Sequence, residues 1–389
     1  MISVSRHLSN HSKLRNRRPQ RQKETMANSD DKPALKITLE DLASVELPAA
    51  VPAGAMTPVA AGAKQYGNIA APADGPAVVT EEKGSIFLQG WFYLGVAGTI
   101  GALVGWGIGE PFFKEGAAVR SLSGFIGALL IVPLVLTCMC LSFSLAESIV
   151  ERSARKAIQR SALSVPLGLI FSLVFLIAGG LVYNVGLGFC AAMGIDIRSM
   201  AGYKNPATWI ARSAAWMVFA AAAGIVYGFA DSSVRKGRYG VIGAIIGGGI
   251  GGLAFNPISV AAGSGAPSRA IGFALIGLAM GVAIGIVESA LKDRWLYVAS
   301  GPLAGKQFIL YKPMTTIGSS QSSDIYLFKD TSILPQHGVI ELRGAQTFIR
   351  SAGPVFVSGA PVRNQRALQS GDLIQVGRYA FHFRERQRN

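Results

Sequence analysis

The sequence predicts a polytopic α-helical membrane domain followed by an all-β sandwich. Half of its 389 residues are hydrophobic and only 15% are charged, whereas a soluble globular chain carries about a quarter charged residues. Six apolar runs between Trp91 and Trp295 each reach the length of roughly 20 residues that crosses a bilayer as a helix. Beyond them, short alternating segments separated by Gly, Ser and Asp are typical of strands. We therefore expect a tail (1–84), a six-helix transmembrane domain (85–293) and a β-domain (294–389).

The predicted tail combines Pro, Ala, Gly, Ser and Asn without sustained periodicity, which is the composition of a disordered segment. Its basic start is not followed by an apolar segment, so we expect no signal peptide. Met26 opens the stretch MANSDDKPALKITLEDL, which is typical of the beginning of a natural protein. Translation is therefore expected to start at either Met1 or Met26. Much of the net charge of +15 lies in this tail, at Arg6, Lys13, Arg15, Arg17, Arg18, Arg21 and Lys23.

The six apolar runs cover approximately 87–108, 123–145, 163–193, 209–230, 239–262 and 271–291. Cytoplasmic loops of membrane proteins carry an excess of Lys and Arg, and the connections here differ in that respect. The more basic connections hold Arg152, Arg155, Lys156, Arg160, Arg235, Lys236 and Arg238, and the opposite ones hold Lys114, Arg120, Arg198, Lys204 and Arg269. This bias predicts a multi-pass protein of the plasma (inner) membrane with both termini in the cytoplasm.

The apolar block repeats itself, which indicates three hairpins built from one two-helix unit. GTIGALVGWGIGEPFF, from Gly98, resembles GVIGAIIGGGIGGLAF, from Gly240. The second helices of the three hairpins share an acidic residue followed by serine, at Glu147, Asp231 and Glu288. Because these carboxylates lie at predicted helix ends with Lys or Arg nearby, we expect interfacial salt bridges and not an ion pathway.

Glycines recur every four residues along three of the runs. Such spacing places them on one helix face, where backbones approach closely and pack without a hydrophobic driving force. The predicted packing faces contain Gly101, Gly105, Gly109, Gly243, Gly247, Gly251, Gly277, Gly281 and Gly285. The sequence leaves open whether these faces pack within one chain or in a homo-oligomer. Because glycine zippers also occur in channels, a channel or transporter remains the alternative function.

The C-terminal segments carry a resemblance to a known family. TTIGSSQSSDIYLFKDTSILPQHGVIEL, then VFVSGAPV, then SGDLIQVGRYAFHF resemble a forkhead-associated (FHA) domain over roughly 296–385. The resemblance implies an FHA-like β-sandwich whose loops at one end bind phosphothreonine peptides. The structural frame of the family matches Gly318, Asp324, His337, Gly359, Gly371 and Asp372.

The phosphate-reading positions of the family depart from its pattern. Ser319 occupies the position of an arginine, Leu334 that of a serine and Ser358 that of an asparagine. Arginine grips phosphate through two charge-assisted hydrogen bonds, which a serine hydroxyl cannot reproduce. We therefore expect an FHA-like fold that no longer reads phosphothreonine, with a weak anion nest as the alternative. The candidate partner-binding residues are Ser319, Ser320, Ser322, Leu334, Gln336 and Ser358.

These features favour a non-enzymatic membrane scaffold whose cytoplasmic FHA-like domain binds a cytoplasmic or membrane protein, in a setting that the resemblance links to kinase signalling. The chain contains no HExxH, GxSxG or P-loop pattern and no paired carboxylates in a catalytic arrangement. Three cysteines lie within apolar runs without CxxC spacing, so neither a metal site nor a disulfide framework is indicated. We expect no cofactor and no nucleic-acid partner, because basic clusters beside membrane helices mark the cytoplasmic side and anionic lipid.

Overall fold

The computed structural model describes residues 83–113, 122–263 and 265–386. The predicted tail up to residue 82, including Met26 and the basic residues of the tail, lies outside these ranges, as do Lys114 and Arg120 of the first loop. Six of the helices are long and apolar enough to cross a membrane, and a β-sandwich follows them. The predicted fold class, six apolar helices followed by an all-β sandwich, is therefore confirmed.

The helical domain contains six long helices and one short helix within the described residues. Helix α3 begins at Ala154, well before the apolar run that predicted it, because a helix continues through the polar segment once Ser153 caps its first turn. The helices are α1 (Gly90–Gly109), α2 (Leu122–Val150), α3 (Ala154–Ala192), α4 (Met200–Tyr203), α5 (Pro206–Ala230), α6 (Val234–Ala261) and α7 (Ala266–Leu291).

The six long helices form a closed ring in which each packs against the next in sequence and α7 packs against α1. Large buried side chains fill the interior of the ring. Trp216 belongs to this buried cluster, with ring centroids 5.6 Å from Phe219 and 6.0 Å from Phe273. Phe143 and Met280 are also fully buried. The middle of the ring is therefore a packed core.

The helices of the ring approach one another through glycine. A Cβ built on Gly281 of α7 would lie 2.0 Å from the carbonyl oxygen of Leu94 on α1, and one on Gly277 would lie 2.2 Å from that of Gly98. The other predicted glycine faces contact neighbouring helices in the same way, with Gly101, Gly105 and Gly109 of α1 against α2 and Gly243, Gly247 and Gly251 of α6 against α7. In this structure the glycine faces pack within one chain.

Two tight turns, α2–α3 and α5–α6, have the same backbone geometry. Arg152 and Ser232 both adopt left-handed conformations, with φ of 53° and 51°. The next residues, Ser153 and Ser233, cap the following helices through their side chains. The sequences ERSARK and DSSVRK thus form equivalent corners at the same end of the ring.

These corners change one detail of the predicted repeat. Sequence comparison paired Glu147 with Asp231, but the turn geometry pairs Asp231 with Glu151, because both directly precede the left-handed residue. The correspondence is therefore shifted by about one helical turn. The wider proposal of three two-helix repeats stays a prediction.

The β-domain consists of two sheets with the strand orders β2-β1-β11-β10-β7-β8 and β4-β3-β5-β6-β9. Alternating buried residues from both sheets, such as Ile340, Ile349 and Phe381, form its core. The strands are β1 (Arg294–Ser300), β2 (Gln307–Ile309), β3 (Met314–Gly318), β4 (Ile325–Tyr326), β5 (Gly338–Arg343), β6 (Gln346–Ser351), β7 (Val355–Val357), β8 (Ala360–Pro361), β9 (Gln365–Leu368), β10 (Leu373–Val376) and β11 (Tyr379–Glu385).

The two sheets present one edge to the helical ring. Edge strands β2 and β4 lie beside the ends of α2, α3, α5, α6 and α7, where both line a shared cavity. An uncovered strand edge is a template for unwanted pairing, so this placement protects one edge of each sheet. Strands β8 and β9 form the opposite edge.

The glycine contacts generate a first prediction. Gly281→Ala places a methyl group against the backbone of α1 and should destabilise the protein by about 1–3 kcal/mol through overpacking. Gly107→Ala on α1 is the matched control, since nothing lies within 4 Å of its added Cβ, and it should be neutral or stabilising by up to about 1 kcal/mol. Thermal unfolding of the two purified variants in detergent measures the difference, and equal melting temperatures would contradict this account of the ring.

Candidate functional site

The predicted frame residues Gly318 and His337 hold the loop end of the β-domain together. The Nδ1 atom of His337 accepts a hydrogen bond from the Leu334 backbone N–H at 3.1 Å, so Nε2 carries the proton and donates to the Pro354 carbonyl at 2.9 Å. The ring is buried and joins the β4–β5 and β6–β7 loops. A Cβ on Gly318 would lie 2.1 Å from the Pro335 carbonyl oxygen, so glycine allows the neighbouring loops to meet.

The acidic frame residues are also bound within the domain. Asp324 accepts hydrogen bonds from the Thr316 backbone N–H at 2.9 Å and from the Lys312 ammonium at 2.8 Å. Partial burial alone would raise the pKa of Asp324, but these donors hold it below its usual range. Asp372 accepts a hydrogen bond from the Ser358 hydroxyl at 2.9 Å. Gly359 and Gly371, the remaining frame residues, adopt left-handed φ values of 79° and 104° in turns.

The candidate loop residues are brought together only in part. The Ser319 N–H donates to the Leu334 carbonyl at 2.9 Å, and its hydroxyl donates to the Ile333 carbonyl at 2.7 Å. The hydroxyls of Ser320 and Ser322 hydrogen-bond each other at 2.7 Å. The side chains of Leu334 and Gln336 are exposed. Ser358 lies in the β7–β8 turn and has no hydrogen bond to these loops among the described residues.

The β3–β4 loop is held by the α2–α3 turn of the helical domain. The Ser153 hydroxyl donates to the Gln321 carbonyl at 3.3 Å, and the Arg155 backbone N–H donates to the Gln321 side-chain oxygen at 3.1 Å. The Lys156 ammonium donates to the carbonyl of Asp324 at 2.7 Å. One of the loops that the FHA resemblance assigns to partner binding therefore already contacts this chain's own turn.

A buried group of charges lies beneath this contact. We call it the junction cluster, and it consists of Glu147, Glu151, Lys156, Arg160, Asp231, Lys236, Glu288 and Lys306. Most of its members are on the helices, whereas Lys306 comes from the β1–β2 hairpin of the β-domain. Buried charges are retained only when they are paired and hydrogen-bonded. Because its members come from both domains, the cluster favours one relative position of the helices and the β-domain.

Glu151 contacts cations from both domains. Its carboxylate lies 2.9 Å from the Lys156 ammonium, 3.6 Å from the Arg160 guanidinium and 3.5 Å from the Lys306 ammonium. Burial alone would raise the pKa of Glu151, but the three cations, led by Lys306, lower it to about 2. Glu151 is thus held as a carboxylate at neutral pH.

Lys306 is less well satisfied than its partner. Its ammonium is buried, makes no hydrogen bond within the described residues and lies 4.8 Å from the ring centroid of Phe308. Burial lowers the pKa of Lys306, and Glu151 only partly offsets this because Lys156 and Arg160 repel it. The pair therefore favours the charge on Glu151 more than the charge on Lys306.

The remaining charges bridge the two equivalent corners of the ring. Arg160 of α3 binds Asp231 at 2.6 Å. Lys236 of α6 binds the same carboxylate and reaches Glu147 of α2 at 2.5 Å. Burial alone would raise the pKa of Asp231, but the neighbouring cations hold it well below its usual range. The salt bridges predicted for Glu147 and Asp231 are present, but they connect different helices and are buried.

Glu288, at the end of α7, joins the β-domain by a different contact. The Tyr311 hydroxyl donates to its carboxylate at 2.8 Å, and the Tyr227 hydroxyl lies 3.4 Å away. Burial and the nearby Glu288 raise the pKa of Tyr311 well above its usual value, so the phenol remains a donor. Neither Tyr311 nor Lys306 carried a signal in the sequence, because each is a single polar residue beside a short strand.

A cavity of about 140 Å³ lies between the junction cluster and strands β2 and β4. Glu147, Lys236 and Glu288 line it from the helices, and Lys306 and Tyr311 line it from the β-domain. Within the described ranges no group of three or more His, Cys, Asp or Glu side chains is placed to hold a metal ion. The geometry is that of a charge-balanced contact between domains.

A known protein family matches the β-domain. The model of the family described as the inner membrane component of T3SS, cytoplasmic domain, matches residues 297–387. This segment is under a quarter of the chain, so the match concerns the β-domain alone.

Similar proteins cover the same segment. The oxoglutarate dehydrogenase inhibitor of Corynebacterium efficiens is 34% identical over 91 residues, which are 23% of this chain and 63% of that protein. The glycogen accumulation regulator GarA of Mycolicibacterium smegmatis is 32% identical over 91 residues, or 23% of this chain and 56% of that protein. The chain thus spans less than two thirds of either relative.

Solved structures of FHA domains are also similar to this segment. The FHA domain of the CT664 protein from Chlamydia trachomatis is 25% identical, covers 25% of this chain and 100% of that chain, and has a TM-score of 0.23. The resemblance of the C-terminal domain to FHA domains, predicted from its motifs, is confirmed.

The unequal pair Glu151 and Lys306 generates a second prediction. Glu151→Gln removes the carboxylate that pairs with Lys306 and Lys156, and one of the counter-charges of Arg160, and should destabilise the protein by about 3–5 kcal/mol. Lys306→Met keeps the aliphatic stem and removes a charge that burial disfavours, while Lys156 and Arg160 still pair with Glu151, so it should cost clearly less stability than Glu151→Gln. Thermal unfolding of the full chain, followed by tryptophan fluorescence, compares the variants. An equal loss of stability in the two variants would contradict this prediction, because it would show that each charge needs the other to the same extent.

The pKa of Glu151 generates a third prediction. Because it falls from 4.5 to about 2 on folding, its stabilisation is complete above about pH 4.5 and is lost as the pH falls toward 2. The shift corresponds to about 3 kcal/mol. The free energy of unfolding of the full chain should decrease across this window. The decrease should be shallower in Glu151→Gln, and identical pH profiles for the two proteins would contradict the assignment.

Proposed function

We propose that this chain is a multi-pass inner-membrane adaptor that uses its FHA-like domain to bind a protein partner without requiring phosphothreonine. Six helices long and apolar enough to span a membrane support the anchor. The matching family is described as a cytoplasmic domain of an inner membrane component, which supports a cytoplasmic position for the FHA-like domain. The excess of Lys and Arg in the α2–α3 and α5–α6 turns favours the same side, with both termini in the cytoplasm.

The observation that carries this proposal is the hydrogen bond that already occupies the Ser319 hydroxyl. Ser319 occupies the position of the family's arginine, and its hydroxyl already donates to the Ile333 carbonyl at 2.7 Å. A phosphate at this end would meet neither a bidentate guanidinium nor a free hydroxyl at that position. Leu334 presents an exposed apolar side chain where the family has a serine. These replacements favour recognition of an unphosphorylated surface.

The contact between the β3–β4 loop and the α2–α3 turn gives the adaptor a way to respond to its partner. The β3–β4 loop contacts the α2–α3 turn, whereas residues of the β4–β5 loop, such as Leu334 and Gln336, remain exposed. A partner that displaces the β3–β4 loop would break contacts to the helices, and one that binds only the exposed loop would leave them intact. Binding and domain docking are then linked, because any ligand with different affinity for two arrangements shifts their populations.

The names of the similar proteins fit a regulatory role. One is named as an inhibitor and the other as a regulator, and both are similar to this chain only in the β-domain. We carry over to this chain the general role of a non-catalytic protein-binding module. A setting in kinase-linked signalling or secretion follows from the FHA resemblance and belongs to this proposal.

The alternative of a channel or transporter controlled by the FHA-like domain is less favoured. Buried side chains such as Trp216, Phe219 and Met280 fill the interior of the helical ring. A conducting state would require these groups to separate across glycine contacts between backbones. We therefore give the adaptor function precedence.

Peptide binding tests the loss of phosphothreonine reading. The full chain in lipid nanodiscs is incubated with a degenerate phosphothreonine peptide library and with the matched unphosphorylated library. We expect equal retention of the two libraries. The double variant Ser319→Arg with Leu334→Ser restores a cation and a hydroxyl, and it should gain roughly tenfold or more in preference for the phosphorylated library.

A clear phosphothreonine preference of the unmodified chain would overturn the degenerate-pocket part of the proposal. The chain would then be a membrane-tethered reader of phosphorylated proteins, with the serines of the β3–β4 loop as its anion site. The variant serves as a positive control, because its binding shows that the loops remain folded and accessible.

A further inference from the structure

We propose that the α5–α6 corner binds the headgroup and one acyl chain of an anionic phospholipid. A groove of about 680 Å³ lies beside this corner, between the end of α5 and the start of α6. It is separate from the loop end of the FHA-like domain, so this inference does not depend on the proposed partner. Its lining residues are Ile225, Gly228, Phe229, Ser232, Ser233, Val234, Gly237, Arg238, Val241 and Ile242.

The shape of the groove arises from two glycines. A Cβ on Gly228 would lie 2.3 Å from the Cα of Gly237, so α5 and α6 meet backbone to backbone and leave a floor without side chains. Phe229 forms one wall and stacks on Phe171 of α3 with ring centroids 6.1 Å apart. Ile242 continues the apolar surface along α6. The groove can therefore accommodate an extended hydrocarbon chain.

The groove faces the surroundings of the ring. Val234, Phe229 and Ile242 are large apolar residues with exposed fractions of 84%, 55% and 43%. Phe229 and Val234 lie at the ends of helices that are long and apolar enough to span a bilayer, and Ile242 lies further along α6. The ends of such helices lie near lipid headgroups, where acyl chains begin. The occupant that this position favours is consequently a membrane lipid.

Arg238 determines the charge that the occupant should carry. It is the charged residue among those that line the groove, its side chain is exposed, and it has no ion pair or hydrogen bond to the described residues. The Ser232 hydroxyl is exposed beside it and likewise has no partner there. A guanidinium and a hydroxyl at the mouth of an apolar groove suit a phosphate group. Basic residues beside membrane helices also attract anionic lipids in general.

The equivalent α2–α3 corner shows what distinguishes this position. There the β3–β4 loop of the FHA-like domain contacts the turn, and Ile158 occupies the position that corresponds to Arg238. The first corner therefore contacts the FHA-like domain of the same chain, whereas the second has a groove lined by Arg238, which has no ion pair within the described residues. The α2–α3 and α5–α6 corners thus share one backbone geometry but have different surroundings.

Competition between lipids tests the proposal on the full chain. The protein is reconstituted in an equimolar mixture of phosphatidylglycerol and phosphatidylcholine with the same acyl chains, and the lipids that remain bound after extraction are counted by native mass spectrometry. We expect phosphatidylglycerol to be enriched. Arg238→Gln should reduce this enrichment by roughly tenfold, the effect of one charge-assisted contact.

Two further variants make the result specific. Arg235→Gln removes the same charge from a neighbouring residue that does not line the groove and that lies 3.8 Å from Asp293, and it should preserve the enrichment. Ile242→Trp fills the groove and should reduce retention of both lipids. The proposal is overturned if Arg238→Gln retains the wild-type enrichment, or if Arg235→Gln lowers it as strongly, since the effect would then be nonspecific.

Discussion

The arrangement of the described domains depends on one buried carboxylate and the cations that surround it. Glu151 follows directly after α2, and its oxygens lie within 3.6 Å of cations from α3 and from the β1–β2 hairpin of the FHA-like domain. A buried charge without partners is costly. The helices and the FHA-like domain must therefore keep their relative positions for Glu151 to remain satisfied. The tight α2–α3 turn, with its left-handed Arg152, places the carboxylate at this point.

This arrangement changes how the FHA-like domain can act. An isolated FHA domain would present all the loops at one end to a partner, but here the helical domain already contacts the β3–β4 loop through Gln321. The edge strands β2 and β4 are covered by the same contact, and the opposite edge is free of it. We infer that the membrane domain limits which surfaces of the FHA-like domain a partner can use. The anchor is then part of the binding specificity.

The fold could be predicted from the sequence because its signals are local and repeated. Apolar runs indicate membrane helices, and short alternating segments with the Gly318, Asp324 and His337 spacing indicate the sandwich. Salt bridges of Glu147 and Asp231 could be predicted, but the assembly of the junction cluster could not, because the pairs that join its parts are distant in the sequence: Lys236 meets Glu147, and Lys306 meets Glu151. The sequence aligns Glu147 with Asp231, because both are acidic residues followed by serine. The left-handed turn residues align Glu151 with Asp231 instead, about one helical turn later. A sequence pattern shows neighbouring residues, but it does not show which distant charged residues pair in the fold.

The most direct test of this account is disulfide formation between Arg155→Cys and Gln321→Cys in the full chain. The variant is prepared with Cys138, Cys140 and Cys190 replaced by alanine and is oxidised in lipid nanodiscs. Because the Arg155 N–H donates to the Gln321 side-chain oxygen at 3.1 Å, a docked domain keeps these two positions close together, and we predict faster cross-linking of this pair than of the control pair. The control pairs Arg155→Cys with Arg363→Cys, near the β8–β9 edge, and should cross-link slowly. Equal rates for the two pairs would contradict a docked FHA-like domain and, with it, the central role of Glu151.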